Sequence, residues 1–203
     1  GYNTAFLYPA NGLDNLTRNL ASRCNIYYGK RAISVDAQNK TVTFTDGSII
    51  RYENIITTLP LNHMMEMTSQ QTHDPADPYT SVLVLNIGAK IGKKCPPDHW
   101  LYNPDTKSGF HRVGFYSNVD QGFLPGSARG LNSRVSIYVE RAFEAGKQPS
   151  EAETKQYAAS VVNELQSWGF IRETEVVDPT WIHVAYTWSW PGSIWKTQAV
   201  QKL

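Results

Sequence analysis

Residues 98–118, DHWLYNPDTKSGFHRVGFYSN, constrain this chain more than any other stretch. Trp100-Leu101-Tyr102 reads as an aromatic strand followed by a short polar turn. A second apolar run carries Phe110, His111 and Arg112 into Phe115-Tyr116-Ser117-Asn118. A lone arginine inside a β-prone apolar run is costly to bury unpaired. It requires either a carboxylate of the chain, for which Glu140 on another β run is the candidate, or an anionic ligand. The guanidinium fork matches phosphate and carboxylate groups in shape and charge. If the turn closes a hairpin, Tyr102 lies on the neighbouring strand, either reaching the same anion or serving as a core aromatic with its hydroxyl at the surface. Alternation puts His111 on the face opposite Arg112, in a structural role.

The chain has 203 residues, 41% of them hydrophobic, enough for one large domain or two lobes. A formal net charge of +1 without a long charged run argues against a nucleic-acid groove or a polybasic membrane anchor. No apolar run reaches spanning length and no signal-peptide pattern opens the sequence, so a cytoplasmic setting is expected. Cys24 and Cys95 lack metal spacing and read as free thiols. The histidines likewise show no metal spacing, so no metal is assigned. The chain opens without a start Met and stops where a helix begins, which suggests a portion of a longer protein.

Asp14 is placed to cap a helix running to about Ser22, with Leu13, Leu16 and Leu20 on one face. Short β runs follow at Asn25–Tyr28 and Ala32–Val35. Thr41–Thr45 alternates, and Asp46-Gly47 is a strong hairpin signal into Ser48–Tyr52. Asn54–Leu61 is an almost continuous apolar, β-branched run, as in a strand buried on both faces of a parallel sheet. Residues 69–79 are polar and proline-rich and read as a linker.

Ser81–Gly88 reads as a central strand, residues 122–130 as a loop, and Ser133–Arg141 as a half-buried strand. Ser150 with Glu153 forms a capping box for a helix bearing Ala158, Val161, Val162, Leu165 and Trp168, stopped by Gly169. That stripe is core. Thr180–Trp188 reads as a last strand before a turn at Trp190. Trp181, Trp188, Trp190 and Trp195 with Tyr186 make an aromatic-rich end, for which core packing is the default and a stacking wall the sharper alternative. The fold class is therefore mixed α/β, with an α/β layer over residues 1–68, a linker over 69–79, and an antiparallel sheet backed by helix over 80–203.

GKRAISVDAQNKTVTFTDGSIIRYENIITTLPL resembles the segment ahead of the substrate domain in the flavin-containing amine oxidoreductase superfamily. WLYNPDTKSGFHRVGFYSN with SRVSIYVE looks like the UDP-galactopyranose mutase branch, its eukaryotic-type members above all. The resemblance runs from about Phe6 to Trp190. It implies an FAD-binding layer joined to a substrate domain, with a flavin carrying the chemistry. It makes Tyr102 and Arg112 pyrophosphate ligands of a nucleotide sugar, with Asn118 beside them and Trp190 at the substrate. It places Ala32 at the adenine of FAD, Leu59 and Pro60 where the FAD layer closes, and Tyr8 and Gly12 near the flavin. The chain departs from the family at Gly12-Leu13, at Phe110-His111-Arg112 and at Trp190, where a tyrosine is usual.

No G-x-G-x-x-G follows a strand. Those glycine amides hold the FAD pyrophosphate, so this chain is expected to hold FAD weakly and to lack turnover alone. Three readings stand: a mutase-like enzyme taking an anionic nucleotide sugar; an amine-oxidase-like or protoporphyrinogen-oxidase-like oxidoreductase; and a binding module without catalysis.

Overall fold

Alternation between residues 80 and 144 builds the sheet that organises the chain. The structure, a computed structural model, describes residues 7–10, 12–144, 147–182 and 192–203. It divides into two compact units, Gly1–Cys24 with Ser81–His183 and Asn25–Thr80 with Val184–Leu203. Both are discontinuous, whereas the sequence reading cut the chain at 68 and 80 in simple order. The physical reason lies in the two end helices, each of which belongs to a unit remote in sequence.

The first unit holds helix α1 (Leu13–Ala21) and a five-stranded sheet. Its strands are β4 (Thr80–Ile91), β5 (Trp100–Tyr102), β6 (Arg112–Phe115), β7 (Arg134–Glu144) and β8 (Ile171–Ile182), in the order β5-β6-β7-β4-β8. The pairs β5–β6, β6–β7 and β4–β8 are antiparallel. Ile91 N–H donates to Ser133 O, so the end of β4 meets the start of β7 and that pair also runs antiparallel. Leu83, Leu85 and Ile87 of β4, Val113 and Phe115 of β6, and Val135, Ile137 and Val139 of β7 are all buried. Helix α4 (Glu151–Trp168) covers them with Tyr157, Val161 and Leu165, each such side chain contributing about 1.5–3 kcal/mol by leaving water. Both halves of its Ser150–Glu153 capping box form, and Gly169 ends it at φ +77°. β8 is an edge strand, which is why Pro179 is tolerated within it.

Helix α1 starts two residues earlier than expected. Gly12 at φ +97° is its N-cap, and Asp14 instead pairs with Arg18 at 2.9 Å. Leu13, Leu16 and Leu20 share the expected face, and all three are exposed.

The second unit holds the antiparallel sheet β1 (Ala32–Asp36), β2 (Thr41–Phe44) and β3 (Ile49–Arg51), with helices α2 (Leu61–Met67) and α5 (Ile194–Lys202). Gly47 takes φ +79° in the β2–β3 turn, and Asp46 accepts from Ser48 N–H and Ser48 Oγ. Asn54–Leu61 is not a strand: residues 54–60 have no ladder partner among the described residues, Ile56 is 94% exposed, and Leu61 begins α2. Composition marked the run as one that tolerates burial on both faces, but a strand exists only where neighbours supply its hydrogen bonds. Asn25–Tyr28 is likewise irregular, with Tyr27 and Tyr28 exposed. Residues 69–79 are fastened rather than loose. Gln198 accepts from the N–H groups of His73 and Asp74 and donates to the Asp74 carboxylate at 2.6 Å, while Ser193 donates to Asp77 at 2.5 Å. Trp195 is buried with Met65 and Ala199, the core role that is the default for such a residue.

The β5–β6 turn is pinned to α4 through Glu164. This buried carboxylate accepts from Lys107 N–H at 2.8 Å, Ser108 N–H at 2.7 Å and Ser108 Oγ at 2.6 Å. Burial alone raises its pKa, but the hydrogen bonds from Ser108 and Lys107 outweigh that and hold the carboxyl below its ordinary value of 4.5. Glu164→Ala strands two peptide N–H groups and a hydroxyl, and is expected to cost about 2–4 kcal/mol in urea denaturation. A carboxyl with a depressed folded pKa stabilises fully above its unfolded value and loses that contribution as pH falls through the folded one. The stability gap between wild type and Glu164→Gln is therefore full above the ordinary carboxyl value of 4.5 and narrows as the pH falls below it in the same assay.

Candidate functional site

With Val113, Phe115, Val135, Ile137 and Val139 packed in the core beneath α4, the opposite face receives the intervening residues. Tyr102, Arg112 and Glu140 are direct cross-strand partners on β5, β6 and β7, and form one row. Arg112 Nη2 donates to Glu140 at 2.5 Å, and Nη1 donates to the Tyr102 hydroxyl at 3.1 Å. Nε is buried with no hydrogen-bond partner among the described residues. The Arg112 side chain stays 31% exposed and Glu140 15%, so the guanidinium keeps an open edge while its counter-ion is largely covered. Burial works against the charge of Arg112, yet the hydrogen bonds to Glu140 and Tyr102 outweigh it and hold the group charged above its ordinary range. Of the two fates open to a lone strand arginine, pairing with Glu140 is the one the structure displays.

His111 departs from the expected orientation. Its Nε2 lies 3.8 Å from the Glu140 carboxylate, beside Arg112 rather than opposite. Residue 111 precedes the first residue of β6, so strict alternation does not reach it.

The next row is Trp100, Gly114 and Tyr138. A Cβ on Gly114 would stand 2.1 Å from the Tyr138 ring, so the ring lies over bare backbone. Tyr138 in turn contacts Tyr116 at 4.6 Å between centroids, Tyr116 stacks on Phe123 at 4.9 Å, and Tyr8 meets Phe123 at 5.8 Å. Arg112 stands over the rings of Tyr102 at 5.6 Å and Tyr138 at 5.9 Å. Tyr116 is carried by the short helix α3 (Tyr116–Val119), which buried Ser117 fastens by accepting from Ser136 N–H at 3.2 Å. Burial raises the phenol pKa of both Tyr116 and Tyr138, with Glu140 adding to the shift and Arg112 opposing it. Both phenols therefore remain hydroxyls at neutral pH. Chemically, the face offers a guanidinium edge among tyrosines, a donor set suited to phosphate oxygens.

The other expected site residues disperse. Asn118 donates to Pro96 O at 3.0 Å and Asp98 O at 2.8 Å, so its amide hydrogens hold the loop ahead of β5. Trp190 lies outside the described residues. Tyr8 and Gly12 line a cavity of about 600 Å³ in the first unit with Phe123 and Arg129. Ala32 and Leu59 line a different cavity, of about 780 Å³, in the second unit, and Pro60 is the N-cap of α2. Among the described residues no helix is long and apolar enough to cross a membrane, and no cluster of three His, Cys, Asp or Glu side chains could hold a metal. Cys95 is a free thiol whose pKa burial raises to about 11. Sequence reasoning passed over Tyr138, Gly114 and Glu164. Tyr138 was the findable one, because it stands two residues before Glu140 in a strand already read as alternating.

A sequence model of the family described as flavin containing amine oxidoreductase matches residues 3–200. Among solved structures, the chain is similar to that of a reduced UDP-galactopyranose mutase, at 22% identity and a TM-score of 0.65, covering 90% of this chain and 40% of the other. A protein from Pyrococcus furiosus matches at 12% identity and 0.59, covering 88% and 42%. An oxidoreductase from Methanosarcina mazei matches at 12% and 0.56, covering 86% and 42%. At these identities the likeness is one of fold, and the chain spans about two fifths of each of those proteins.

Gly114→Val drives a side chain into the space of the Tyr138 ring. We expect a loss of about 1–3 kcal/mol in urea denaturation and a changed near-ultraviolet dichroism from the displaced tyrosine stack.

Proposed function

The chain belongs to the flavin containing amine oxidoreductase family, and on that premise we propose that it forms the substrate-facing portion of an FAD-dependent enzyme that takes a nucleotide sugar. The observation that carries this reading is the Tyr102–Arg112 pair, aligned across two strands with an open guanidinium edge above an aromatic ledge. The motif resemblance assigns these same two residues to a pyrophosphate. The structural likeness to UDP-galactopyranose mutase supports it in kind.

The second-unit cavity is the place proposed for the adenine end of FAD. It is lined by apolar Ile33, Val35 and Ile56 together with Lys30 and Arg31, a set that suits an aromatic base and a phosphate. Bound flavin would supply the redox chemistry. The residues of this chain bind and orient the anionic substrate, and the neutral phenols of Tyr116 and Tyr138 keep hydroxyl donors beside it.

A second reading, an amine-oxidase-like or protoporphyrinogen-oxidase-like dehydrogenation, draws support from the pairing of Arg112 with Glu140, since an internally neutralised arginine suits a less charged substrate. Peroxide production by the whole enzyme would favour that reading.

Calorimetric titration of UDP and UDP-galactose into the chain tests the first reading. Binding is expected, weakening with salt and falling at least about tenfold in Arg112→Ala, in line with the loss of a charge-assisted hydrogen bond. Equal binding by the variant would remove Arg112 from the site. FAD titration is expected to show no stoichiometric break, because no Gly-rich turn is present to hold the dinucleotide pyrophosphate.

A further inference from the structure

The Arg112 site carries its own anion. Glu140 holds Nη2 at 2.5 Å from the register position directly opposite, Tyr102 accepts from Nη1, and His111 Nε2 stands 3.8 Å from the same carboxylate. Tyr138, two residues before Glu140, and Tyr116 from α3 complete the surroundings. A ligand phosphate on the open edge of Arg112 must therefore share one guanidinium with a carboxylate that is already in place.

We propose that Glu140 sets the charge specificity of this site. It acts as a built-in competitor that a single weak anion does not overcome and a diphosphate does. One feature of the guanidinium makes the exchange feasible: the Nη1 partner is a phenol hydroxyl, which yields readily to a charged acceptor. A diphosphate places oxygens on two donors of one arginine and brings enough charge to displace the carboxylate. A neutral or carboxylate-bearing ligand gains little, because Glu140 already satisfies the charge. Glu140 is thus a specificity residue that acts through Arg112, and the proposal rests on the nucleotide-sugar reading only for the identity of the diphosphate.

The test uses the whole chain with inorganic pyrophosphate, UDP, UMP and uridine as probes in wild type and Glu140→Gln. The glutamine keeps an acceptor for Arg112 and removes the charge. A like charge about 6 Å away weakens an anion about tenfold at an effective dielectric of about 40. Pyrophosphate and UDP are therefore expected to bind about tenfold tighter to Glu140→Gln, with uridine unchanged. If pyrophosphate tightens in this way but UDP binds no better than pyrophosphate, the charge competition stands and the nucleotide-sugar reading falls. Unchanged or weaker pyrophosphate binding by a folded Glu140→Gln overturns the proposal, as does absence of pyrophosphate binding in both proteins. Should the variant fail to fold, the 13C carboxyl resonance of Glu140 in the wild-type chain decides. It shifts on pyrophosphate addition if the carboxylate gives up Arg112, and a static resonance overturns the proposal.

Discussion

Burial of one sheet face beneath α4 dictates what the other face carries. β6 and β7 have a period of two, and α4 covers Val113, Phe115, Val135, Ile137 and Val139. The intervening positions, Arg112, Gly114, Tyr138 and Glu140, have no choice but to share the opposite surface. A slip of one residue in either pairing would send the aliphatics to that surface and the charges into the core. The register that aligns Arg112 with Tyr102 and Glu140 is therefore enforced by hydrophobic burial elsewhere, not by the attraction of the charges. This matters for the chemistry, since an ion pair held by its scaffold remains aligned when a ligand competes for one partner.

That scaffold has its own lock. β5 is three residues long and lies at the sheet edge, too short to fix its register by ladder bonds alone. Glu164 supplies what is missing by gripping the turn from α4, and Arg141 adds a hydrogen bond to Ser108 O at 3.3 Å. Phe110 anchors the returning strand by burying its ring against Trp168 at 5.6 Å. A helix that serves as a hydrophobic lid also holds the tip of the hairpin that presents Tyr102.

Much of this was legible in the sequence because the relevant signals are local. Alternation marked β7, the Ser150–Glu153 spacing marked the start of α4, and Asp46-Gly47 marked the β2–β3 turn. Glu140 was legible as the partner of Arg112 because an apolar run with one cation demands an anion somewhere. What escaped depends on neighbours that composition does not encode. Asn54–Leu61 has the residues of a buried strand, yet its backbone finds no ladder among the described residues, and Ile56 stands in solvent. The fastening of residues 69–79 by Gln198 joins positions more than a hundred residues apart, beyond any local pattern. Gly114 was invisible for a related reason. Its value lies in the ring that covers it, and only the β6–β7 register reveals which ring that is.

The same logic separates the two parts of the candidate site. Tyr102, Arg112, Tyr138 and Glu140 stand on paired strands of one unit, so their mutual geometry follows from a single register. The residues that resemblance assigns to the cofactor are divided between a first-unit cavity at Tyr8 and Gly12 and a second-unit cavity at Ala32 and Leu59. The anion-recognising face is built by the sheet itself, so anion binding reports on a geometry that the strand register and α4 already enforce.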